Sequence, residues 1–82
     1  MAQKLVNKSG LGTQLKMLRL ESGFGVSELA KYLQLLGCDT TRECLVKIEA
    51  ETHNVSMEQL YALKKALNVS YDKIFEFLEE DE

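Results

Sequence analysis

Apolar residues recur with helical spacing in five short stretches of this chain, separated by glycines and polar turns. In the first stretch Leu11, Leu15 and Leu18 stand four and three residues apart, which lines one face of an α-helix. The spacing predicts a helix that starts near Ser9 or Leu11 and runs to about Ser22. Gly23 is its stop, because glycine accepts the left-handed conformation of a helix end. A second helix begins near Gly25, turns Leu29, Leu33 and Leu36 to the core, packs closely at Ala30 and ends at Gly37. Thr40 followed by Glu43 predicts a capping box for a third helix, each side chain satisfying an orphan backbone N–H. Leu45 and Ile48 form its apolar face. The fourth helix opens on Ser56 and Gln59, a second capping box, with Val55 and Leu60 as a hydrophobic staple across the cap. Leu60, Leu63 and Leu67 point inward. Ser70 caps a fifth helix, stapled by Val69 and Ile74, and Ile74, Phe75 and Leu78 close the core.

Composition agrees with one small helical domain. The chain has 82 residues, 45% of them hydrophobic, and no proline. A domain near this size buries only about 60% of its unfolded surface, so one modest core is all it can build. No apolar run approaches the roughly 18 residues of a membrane span, and the N-terminus lacks the apolar core of a signal peptide. A cytoplasmic location is expected, with no membrane partner. Cys38 and Cys44 are then expected as thiols, and they lack the spacing of a zinc or redox motif. No metal and no cofactor is expected. The net charge is −3, yet it is unevenly placed: residues 1–70 hold nine Lys/Arg against seven Asp/Glu, and residues 71–82 hold six acids and one lysine. Residues 1–8 are polar with only Leu5 and Val6 to anchor them, and the chain ends in four acids, so an arm at 1–8, a domain at 9–78 and an acidic tail at 79–82 are expected.

The order SELAKYLQLL (27–36), TRECLVKIEAE (41–51) and VSMEQLYALKKALNVSYDKIF (55–75) resembles the Xre/Cro/phage-repressor helix-turn-helix family. The likeness extends over most of the chain, from Leu11 to Phe75. It implies an all-α, five-helix, lambda-repressor-like DNA-binding domain whose third helix reads the major groove. Counted from Leu45, Ile48 and Glu49, the positions that meet bases in the family fall on Arg42, Glu43 and Lys47. Arg42 could fork onto guanine, Glu43 could accept from the amino group of cytosine, and Lys47 could reach guanine or a phosphate. Backbone phosphates would be met by the N–H groups of Val26 and Ser27 at a helix N-terminus, by Thr41, and by the loop Thr52, His53 and Asn54. The resemblance also pairs Arg19 with Glu49 as a buried ion pair between the first and third helices. The partners it implies are double-stranded DNA and a second copy of the chain, since such domains act as symmetric pairs on two half-sites.

The chain departs from the family pattern at three places. Relatives begin the second helix with Ser or Thr followed by Gln, whose amide holds a phosphate, whereas here stand Gly25 and Val26. The stretch from Leu33 to the third helix is longer by about one turn. Ala50-Glu51 replaces the glycine common after the third helix, adding an acid near the expected phosphates. The missing Gln, the added Glu51 and the negative net charge favour the alternative of a protein-interaction module on the same fold, an antirepressor, antitoxin or modulator binding another protein. An enzyme is not expected: there is one histidine, no glycine-rich phosphate loop and no nucleophile paired with a base.

Overall fold

The computed structural model describes residues 4–5 and 10–81, and side chains from Gly10 to Leu78. Among the described residues there are five α-helices: α1 (Leu11–Glu21), α2 (Val26–Leu35), α3 (Arg42–Glu49), α4 (Met57–Leu67) and α5 (Tyr71–Ile74). A 3-10 helix over Glu76–Asp81 follows α5. Two short strands, β1 (Lys4–Leu5) and β2 (Val55–Ser56), pair antiparallel, Lys4 with Ser56 and Leu5 with Val55. Of the expected arm, residues 1–3 and 6–8 lie outside the described residues, as does Glu82 of the expected tail.

The helical stripes converge on one core. Leu11, Leu15, Leu18, Leu29, Leu33, Leu45, Ile48, Leu60, Leu63, Leu67 and Ile74 are all buried, with Ala30 and Ala62 letting helices approach closely. Within it α3 packs against both α1 and α2, α4 packs on α2, and α5 packs on α1. The fourth helix opens as its sequence predicts: Ser56 Oγ accepts from the Gln59 N–H at 3.0 Å, and Gln59 Oε1 accepts from the Ser56 N–H at 3.0 Å. Ser70 caps α5 through the Lys73 N–H.

Three expectations are corrected. The third helix is capped by Thr41, whose Oγ1 accepts from the Cys44 N–H at 3.1 Å, and not by Thr40. Thr40 is buried instead, its hydroxyl 3.3 Å from both Cys38 Sγ and Gln59 Nε2. Capping at Thr41 puts Cys44 three residues on, so Glu43 has no box to close. Leu36 is 39% exposed and Leu78 53% exposed. Leu36 lies beyond α2 in a turn that Gly37 reverses at φ 88°, so the helical stripe no longer applies to it. Leu78 sits where the helix tightens from 3.6 to 3.0 residues per turn, which rotates it off the inward face. Phe77 packs against the core in its stead, near Gly10 at the start of α1.

Candidate nucleic-acid interface

With eight residues, α3 is too short to persist alone in water, since isolated helices under about 12–15 residues are marginal. Its pose is set by what holds it. Leu45 and Ile48 are fully buried on one side. At its end, Glu49 meets Arg19 of α1: Nε lies 2.7 Å from Oε2 and Nη2 lies 3.0 Å from Oε1. The remaining arm of the guanidinium, Nη1, donates to the Phe24 carbonyl at 2.8 Å. The two side chains are only 9% and 8% exposed, so the ion pair is a fixed joint between α1 and α3.

Two further joints bind the same helices. Gly12 of α1 faces the end of α3 so closely that a Cβ there would collide with the Ile48 carbonyl oxygen and come within 2.6 Å of Glu51 Cγ. Glu51, one residue past the Ala50 cap of α3, takes the left-handed backbone at φ 64°. Its carboxylate returns to α1, where Oε2 accepts from the Thr13 N–H at 3.0 Å. Gly10, the N-cap of α1, offers no side chain for that purpose. Glu51 therefore supplies from across the fold the negative charge that a helix N-terminus attracts.

Opposite these anchors, α3 presents Arg42, Glu43, Val46 and Lys47 to solvent. Glu43 and Lys47 stand one turn apart, a spacing that permits an ion pair. Among the described residues, however, neither they nor Arg42 are paired. Two cations and a carboxylate are thus left available on a single face. Beside it runs a cleft of about 270 Å³ lined by Lys16 and Arg19 of α1, Val26 of α2 and Val46, Glu49 and Ala50 along α3.

The other predicted positions surround this face unevenly. Ser27 is exposed at the start of α2, while Val26 is half-buried in the cleft wall. The N-cap of α2 is Gly25, in extended backbone, and Glu28 Oε1 accepts the Gly25 N–H at 2.8 Å. This is the returning half of a capping box, and it sets a carboxylate at the end of α2 expected to hold a phosphate. Thr52 closes the C-terminal end of α3, both its N–H and its hydroxyl donating to the Lys47 carbonyl. His53 and Asn54 are exposed in the turn beyond.

Sequence reasoning missed the capping role of Glu51, the close approach at Gly12, the Glu28 bond and the cleft residues Lys16 and Val46. Two of these had a signal. A glycine inside a helical stripe marks a packing contact, and Glu28 stands three residues after its cap. Comparisons with protein-family models, with curated proteins and with solved structures found no match.

Proposed function

We propose that this chain is a sequence-specific DNA-binding regulator, a small cytoplasmic repressor of the Xre/Cro/phage-repressor kind, with no enzymatic activity. In this reading α2 and α3 form a lambda-repressor-like helix-turn-helix and α3 enters the major groove. The observation that carries it is the two-sided character of α3. One side is locked by Leu45, Ile48 and the Arg19–Glu49 pair, and the other leaves Arg42 and Lys47 exposed and unpaired among the described residues. A helix held rigidly with cations outward suits base reading, because the pose is fixed before the DNA arrives. Arg42 in the first turn would fork onto guanine, Glu43 beside it would accept from cytosine, and Lys47 a turn later would meet guanine or a phosphate. Val26, Ser27, Thr41 and the Thr52-His53-Asn54 turn would position the backbone.

Selecting bound sequences from random duplex DNA, at low and at physiological salt, tests this directly. A two-fold symmetric site should be enriched, with affinity falling steeply as salt rises. No enrichment at either salt overturns the reading. One observation favours a second function, a protein-interaction module: Glu28 places a negative charge at the N-terminus of α2, where a phosphate would otherwise bind. On that reading the chain gives no enriched duplex and captures a protein partner through the same α3 face.

A further inference from the structure

The cleft of about 270 Å³ between α1, α2 and α3 opens on the same side as the reading face, since Val46 belongs to both. Its volume falls below the roughly 300–1,000 Å³ of pockets that enclose an organic ligand, and suits a smaller group. Val26, Val46 and Ala50 make its sides apolar. Arg19 and Glu49 lie in it as a closed ion pair, so their charges cancel. Lys16 is the charge that remains. It is exposed, stands three residues before Arg19 on the same face of α1, and has no ion-pair partner among the described residues. A cation set between apolar walls has its field focused into the opening, where it draws an anion.

The start of α2 says which anion, and why Lys16 matters to it. With α3 in the major groove, the helix before it meets the sugar–phosphate backbone. That helix reaches the cleft through Val26, and one residue earlier the Gly25 N–H is already taken by the Glu28 carboxylate. The carboxylate opposes the attraction of the helix end for a phosphate. A cation supplied from another element offsets it. We propose that this cleft seats one phosphate of the DNA backbone and that Lys16 of α1 is the residue that holds it. The inference rests on the DNA reading of α3 and adds to it a contact from outside the helix-turn-helix. Lys16 then sets the position of α3 on the duplex and carries no base preference, as phosphate contacts do.

Duplexes of the selected site in which single phosphates are replaced by neutral methylphosphonates test it. The full chain is titrated as the parent, Lys16→Gln, Lys16→Arg and Lys65→Gln, at temperatures where circular dichroism shows each fully helical. One methylphosphonate in each half-site should weaken the parent by on the order of tenfold, the worth of a hydrogen bond to a charged group. Lys16→Gln should be indifferent to that replacement, with a salt slope smaller by about 0.9 for each copy bound and an unchanged ranking of sequences. Lys16→Arg restores the charge and should respond as the parent does. Lys65→Gln removes the same charge from α4, outside the cleft, and should also respond as the parent does. A Lys16→Gln protein that keeps the parent's salt slope and its response to every methylphosphonate overturns the seat and leaves the DNA reading standing. A Lys65→Gln protein that loses the same response as Lys16→Gln makes the effect one of overall charge, and overturns it too. A parent that binds no duplex even at low salt overturns the DNA reading and the seat with it.

Discussion

Arg19 and Glu49 carry opposite charges into a place where both are almost wholly withdrawn from water, and all three directions of the guanidinium are used. Arg19→Ala would strand the carboxylate and remove the donor to the Phe24 carbonyl. A loss of about 3–5 kcal/mol is expected in urea unfolding, with specificity for DNA unchanged in whatever fraction stays folded. A variant that melts like the parent but no longer binds DNA would make Arg19 a surface contact. Glu51 poses a subtler question, because it combines an unfavourable backbone with a useful side chain. Glu51→Ala keeps the left-handed strain and loses the bond to Thr13, so it should cost about 1 kcal/mol or more. Glu51→Gly loses the same bond but relieves the strain, and should be the more stable of the two by about 1 kcal/mol. Equal melting temperatures for the two would show that the backbone at this position is not strained.

At the level of elements, helix ends separate what the sequence discloses from what it hides. Ser56 with Gln59 and Ser70 with Lys73 are legible because both partners of each cap are local, three residues apart. Thr40 and Thr41 carry the same functional group, and only the fold decides between them. A buried hydroxyl is needed beside Cys38 and Gln59, so Thr40 goes inward and the cap falls to Thr41. Thr41→Ala should therefore cost about 1 kcal/mol in thermal unfolding. Glu43→Gln, which touches no cap, should cost no more than a few tenths, and a larger loss there would restore the Thr40–Glu43 box. The core stripes of α1, α2, α3 and α4 were legible for a related reason: periodicity is a property of each segment alone. The Glu51 bond to Thr13 spans 38 residues and leaves no trace in either segment. The candidate reading face was visible only as spacing from Leu45 and Ile48, whereas the cleft beside it required α1 to be in place.

For the molecule as a whole, the DNA reading predicts that two cations one turn apart behave differently. Arg42→Ala should cost roughly 1–3 kcal/mol on the preferred site and relax selectivity at one base pair. Lys47→Ala should weaken all duplexes alike and reduce the salt slope by about 1 if it meets a phosphate. Filter binding or anisotropy across a salt series distinguishes these outcomes, and folded variants that bind like the parent would remove α3 from the interface. The joints between α1 and α3 carry a further implication. An eight-residue helix fastened to α1 by an ion pair, a glycine contact and a cap that its own tail lends to α1 has its C-terminal end fixed while α1 stays put. Local opening and global unfolding should then be the same event for this segment. Amide hydrogens of Leu45 and Ile48 are expected to exchange with solvent only when the entire chain opens, at a protection matching the full unfolding free energy. Sub-global exchange of those amides would show instead that α3 can detach by itself. Exchange only through global unfolding would mean that α3 keeps its alignment in every folded molecule, so heating would remove the pose of the helix and the fold along a single curve.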